Sequence, residues 1–127
     1  MSQDIRTRLG AYAATRRCLQ IRLEQLRTAK QLAERVCSTA PDTAPDLGSH
    51  LQDLTARCTE TAADLYNCME AVECLIHELT APLLREILER RYLREESFRQ
   101  IAAATHYSEG HVRRLHRTAL AELAAKN

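Results

Sequence analysis

Between residues 47 and 79, one set of side chains recurs in alternating steps of four and three without a slip. It runs Leu47, Leu51, Leu54, Cys58, Thr61, Leu65, Cys68, Val72, Leu75 and Leu79, and Met69 and Ile76 widen it. A 4-3 alternation has a period of 3.5 residues. On an α-helix it forms one narrow stripe, whereas on a β-strand each step of three would throw the next side chain to the opposite face. The spacing therefore predicts a helix over about 49–79, capped at Ser49 or nearby, that needs a second helix along its length. Residues 3–37 offer one. Ile5, Leu9, Tyr12, Leu19, Leu23, Leu26, Ala33 and Cys37 follow the same rule, interrupted by Arg16 and Lys30. At 1.5 Å per residue that helix is about 50 Å long. Residues 38–48 hold two of the three prolines and one of the three glycines, which suits a chain reversal. With aromatics at 4%, a β-sandwich or barrel lacks its usual materials. The expected fold is all-α: a long antiparallel helical hairpin, coiled-coil-like, over 1–80, with a separate domain over 81–127. Its seam can close within one chain or between two. In the second case the product is a homodimer through the 1–79 helices.

Charge is arranged along the same divisions. Residues 1–36 carry eight basic and three acidic side chains, residues 37–84 one basic (Arg57) and eight acidic, and residues 85–127 nine basic and six acidic. The overall formal charge of +1 thus hides a basic helix, an acidic helix and a basic C-terminal segment. The first two can neutralise each other, which leaves the third to meet an anion.

The five cysteines, at 18, 37, 58, 68 and 74, form no C-x-x-C pair, and three of them fall on the apolar stripes. They read as small buried hydrophobes in a reducing compartment rather than a zinc or disulfide framework. No apolar run is long enough to span a membrane. The opening Met1-Ser2-Gln3-Asp4 lacks the basic start and apolar run of a secretory signal, so a cytoplasmic protein is expected.

Thr80-Ala81-Pro82 punctuates the chain, and Pro82 suits the first turn of a new helix reaching Leu93. Ser97-Phe98-Arg99-Gln100 is a capping box, with Ser at the N-cap and Gln three residues later. It opens a short Ala-rich helix over 98–104. Thr105-His106-Tyr107 follows as a turn, then Ser108 as a second N-cap, then an amphipathic helix over 109–125. Its inner face holds Val112, Leu115, His116, Ala119, Leu120 and Leu123. Ala102, Ala103 and Ala104 permit close crossing, and Ile101, Val112 and Leu115 are spaced to fill the angle between the helices. This is the pattern of a helix-turn-helix.

The outer face of the last helix carries Gly110, Arg113, Arg114 and Arg117, with Glu109 and His111 beside its start. In a helix-turn-helix the second helix enters the major groove of double-stranded DNA. Arg113 and Arg114 are placed to meet base edges, because guanidinium can bind guanine O6 and N7 together. Arg117, Arg99, Ser108 and His111 are placed for backbone phosphate. His106, His111 and His116 are five residues apart, about 140° on a helix, and do not converge on a metal. No nucleophile elbow, phosphate loop or supported carboxylate pair appears, so neither catalysis nor a cofactor is expected.

From Leu84 to Leu123 the chain resembles the fourth conserved region of bacterial sigma factors. With the long helices in front, it is similar to the small phage and prophage sigma-like regulators of the ArpU/RinA type. The matching words are Arg91-Tyr92-Leu93, Ser97-Phe98-x-x-Ile101-Ala102, and Tyr107-Ser108-x-x-x-Val112-x-Arg114-Leu115-His116-Arg117-x-Ala119-Leu120-x-x-Leu123. The resemblance implies DNA-binding control of phage genes in a bacterial host, at the nucleoid and without catalysis, and it allows contact with host RNA polymerase. Three positions depart from the pattern. Glu95 replaces a loop Gly, His106 replaces a Gly of left-handed conformation, and Gly110 leaves one of the family's base-reading positions (those matched by Glu109, Gly110, Arg113 and Arg114) without a side chain. The rival expectations are an adaptor that docks on RNA polymerase without touching DNA, and a ring-forming DNA-packaging protein that uses the same motif.

Overall fold

The structure, a computed structural model, describes residues 2–39 and 44–127. Among these residues every element is helical. α1 spans Ser2–Thr39, α2 Ala44–Ile76 and α3 Pro82–Leu88, which runs on into a π-helical turn, Glu89–Leu93. α4 spans Phe98–Thr105 and α5 Glu109–Lys126. No helix is long and apolar enough to cross a membrane among the described residues.

The boundaries between α1 and α2 differ from expectation. Residues 40–43 of the expected reversal lie outside the described residues. Ser38 and Thr39 remain helical, with hydroxyls donating back to Glu34 O (3.0 Å) and Arg35 O (3.1 Å). α2 begins at Ala44, so Ser49 lies within the helix rather than capping it. Pro45 then falls in the first turn, where its missing N–H has no partner to lose. α2 ends at Ile76, three residues early, and Leu79 lies beyond the helix yet is fully buried. The closing carbonyls of this segment are satisfied from α3: Arg85 Nε donates to Leu79 O and Arg85 Nη2 to His77 O.

The chain divides into two compact units. One comprises Thr15–Tyr66. In it Leu26, Leu54 and Cys58 are buried together, with Ala29 and Leu51 packed against them. Arg22 Nη1 donates to Thr61 Oγ1 at 2.9 Å and to Arg57 O at 3.3 Å. Partner numbers fall as α1 numbers rise, so the two helices run antiparallel, and their seam closes within one chain. The α2 stripe takes the expected positions. The α1 stripe keeps Leu26 and Ala33 at the expected buried positions, but Arg22 takes the place expected of Leu23, which is 44% exposed. Cys37, expected inside, is exposed, and of the five cysteines only Cys58 is buried.

The other unit joins the start of α1, up to Ala14, to Asn67–Asn127. Its core holds Ile5 and Leu9 from α1, Val72, Leu75 and Ile76 from α2, and Leu79 just after it. Leu84 and Leu88 of α3 and Ala119, Leu120 and Leu123 of α5 complete it. The boundary expected at residue 80 thus separates residues that share one core.

Candidate nucleic-acid interface

The site is built on α4, α5 and the turn between them. Ser97 caps α4: its Oγ accepts from Gln100 N at 3.1 Å, and Ser97 N donates to Gln100 Oε1 at 2.8 Å, so the capping box is complete. α4 stops at His106, whose φ of 63° and ψ of 23° are left-handed. Thr105 Oγ1 donates back to Ile101 O at 2.7 Å in its last turn. Ser108 then caps α5, accepting from His111 N at 3.1 Å. Ile87, Ile101 and Val112 are fully buried where α3, α4 and α5 meet, with Leu115 and Ala102 packed on them. Those contacts fix the angle between the two helices of the motif.

Glu95, the second residue at which Gly was expected, also takes a left-handed conformation, with φ of 56°. It comes after the π-helical turn, which Arg94 N closes by donating to Glu89 O at 3.1 Å, and is followed by Glu96, whose N donates to Arg90 O at 2.9 Å. Arg91 and Tyr92 lie within this turn and meet residues of α4 and α5. Arg91 Nη1 donates to Glu96 O at 3.2 Å. Its guanidinium lies 4.3 Å from the centroid of Phe98, and that of Arg113 lies 4.6 Å from the same ring. His116 meets Phe98 edge-on and stacks on Tyr92, whose hydroxyl is hydrogen-bonded to His116 Nε2 at 2.8 Å. His116 is thus a satisfied packing residue. Burial, and then the guanidinium charges of Arg91 and Arg6, push its imidazole down to about 4. Burial also raises the Tyr92 phenol, against the pull of the same two arginines.

Ser108, Glu109, Gly110, Arg113, Arg114, Arg117 and Arg99 are all exposed, and His111 is half-buried against the ring of Tyr107 at 5.0 Å. Arg113 is engaged from two sides, since its Nη2 also donates to Glu109 Oε1 at 3.0 Å. Glu109 therefore holds a neighbouring guanidinium in the free protein. A Cβ at Gly110 would meet only Arg114 Nη1, at 4.0 Å, so packing does not exclude a side chain there.

Gly110, Arg113, Arg114 and Arg117 line a concavity of about 650 Å³ together with Phe98, Tyr92, His116, Arg91 and Arg6. Arg99 and Ser108 do not line it. Sequence reasoning gave Arg91 no part in the site and missed Arg6 altogether. Arg91 could have been suspected from its place in the matching words, but nothing local marks Arg6, which reaches the site only through the packing of Ile5 and Leu9.

Two helices crossing at a three-residue turn, the second capped by Ser and showing a row of exposed arginines, define a helix-turn-helix domain. Residues 76–125 match the family model for sigma-70, region 4. No curated protein and no solved structure matches the chain.

Proposed function

We propose that the protein is a sequence-specific transcriptional regulator of phage or prophage type, acting without catalysis on double-stranded DNA in a bacterial host. In this reading α5 lies in the major groove, Arg113 and Arg114 meet base edges, and Arg117, Arg99, Ser108 and His111 meet phosphates. The observation that carries it is the exposed arginine row on the helix after the turn, within a segment matching sigma-70 region 4. For Arg113 to reach a base it must leave Glu109 and Phe98, so the ion pair is a resting contact exchanged for DNA. Exposed pairs of this kind contribute little, about 0.2–1 kcal/mol, and are readily given up.

Retardation of DNA fragments recovered from a random-library selection is the test. Replacing Arg113 and Arg114 by Ala should abolish the selective shift and leave the helical circular dichroism unchanged. Wild-type affinity should fall on the order of a hundredfold between about 50 and 200 mM salt if about four phosphates are held. Selective binding that survives both substitutions refutes the assignment. A DNA-independent complex with RNA polymerase would favour the adaptor reading instead.

A homodimer is part of the proposal. It is supported by exposed apolar side chains on α1 within Thr15–Tyr66: Ile21 at 57% and Leu32 at 53%, which line a groove with Ala29 and Leu54. Ile21→Glu should shift the mass in solution from dimer to monomer. A monomeric wild type excludes it.

A further inference from the structure

We propose that Arg6 forms, with Arg91 and Arg117, a phosphate-binding site beside α5 that takes a backbone phosphodiester of the DNA read by Arg113 and Arg114. The inference rests on the DNA-binding reading above and adds to it a segment far from the helix-turn-helix. Arg6 lies on α1, seventy residues before the stretch that matches region 4.

Five guanidinium groups line the concavity: Arg6, Arg91, Arg113, Arg114 and Arg117. Among the described residues no carboxylate lines it, although Glu109 holds Arg113 from beside it at 3.0 Å. Among the described residues Arg6, Arg114 and Arg117 have no acidic partner. A nearby arginine shows what this chain does with a cation it means to neutralise: Arg90 lies 3.2 Å from Glu86 and 3.3 Å from Glu96. Like charges gathered in one hollow repel each other, and His116 beside them is kept neutral by its burial and then by the charges of Arg91 and Arg6. Such an arrangement is stabilised when an anion enters.

The site is also held in place. Ile5 and Leu9, on either side of Arg6 along α1, are 2% and 0% exposed in the core that anchors α5. The backbone under Arg6 is therefore fixed while its own side chain remains exposed. Arg91 is braced by Glu96 O and Phe98. The rings of Tyr92, Phe98 and His116 form one wall of the concavity, and a charged hydrogen bond beside them is less screened than in open water. Guanidinium offers paired donors to the two non-bridging oxygens of a phosphodiester. Because Arg6 stands on a different helix from the base readers, its contact positions the duplex without selecting its sequence.

The test compares wild type, Arg6→Gln and Arg6→Lys in the full chain, titrating a selected duplex across a salt series. Arg6→Gln should bind about tenfold more weakly, the scale of one charged hydrogen bond. Its salt slope should be shallower by about 0.9, one phosphate's worth, with the selected sequence unchanged. Arg6→Lys should keep the slope. If wild type binds selectively and Arg6→Gln keeps its affinity and slope, the phosphate site is refuted while the DNA reading stands. If wild type does not bind DNA, both fall. A changed sequence preference in Arg6→Gln would also overturn the inference, since it would make Arg6 a base reader.

Discussion

His106 holds a left-handed backbone without being glycine, with φ of 63°. A side chain there crowds its own carbonyl, a strain of up to about 1 kcal/mol. The expected outcome of His106→Gly is a modest gain in stability, about 0.5 kcal/mol after the greater freedom that glycine brings to the unfolded chain. A higher urea midpoint at unchanged slope would show it. The position was legible in the sequence through the resemblance, because His106 falls where helix-turn-helix proteins commonly use a left-handed Gly. His116 argues differently. Its imidazole titrates at about 4 in the folded state against 6.5 in the unfolded chain. The unfolded state therefore takes up a proton first as pH falls. Stability contributed by neutral His116 is present above pH 6.5 and is lost progressively toward pH 4. His116→Gln keeps a partner for the Tyr92 hydroxyl but cannot titrate. Its unfolding free energy should lose less than that of wild type across this window. Parallel pH profiles would rule out the assignment. That His116 faces inward follows from its spacing, whereas its partner Tyr92 stands twenty-four residues away, and no local pattern announces that meeting.

Helix signals are strongest where they are most local. The capping box at Ser97 needs only four consecutive residues and forms as the sequence implies. Ser97→Ala should cost about 1 kcal/mol, read as a lower thermal midpoint. The α2 stripe is equally legible, because its ten positions keep one register. α1 is less so. The position expected of Leu23 is taken by Arg22, which lays its stem along the seam and sends its guanidinium to Thr61 Oγ1 and Arg57 O. A hydropathy pattern scores that arginine as an outward residue. It cannot register an acceptor that lies thirty-nine residues further along the chain.

At the scale of the whole molecule, the helix-turn-helix is completed by residues remote from it in sequence. Ile5 and Leu9, together with Val72, Leu75, Ile76 and Leu79, cover the inner faces of α3 and α5. Leu9→Ala should therefore lower stability by about 2–5 kcal/mol. A fragment of residues 81–127 alone should lack a cooperative unfolding transition, because Leu84, Leu88, Leu120 and Leu123 would be bared to water. A sharp thermal transition in that fragment would show that the motif is self-sufficient. The helical class, the α2 stripe, the turn and the arginine row were all readable along the chain, because each depends on residues within one or two helical turns. The joining of α1 to the helix-turn-helix, and with it the arrival of Arg6 beside Arg91 and Arg117, was not. Burial of Ile5 and Leu9 is a non-directional gain that many apolar surfaces could satisfy, and only packing in three dimensions selects which surface does so.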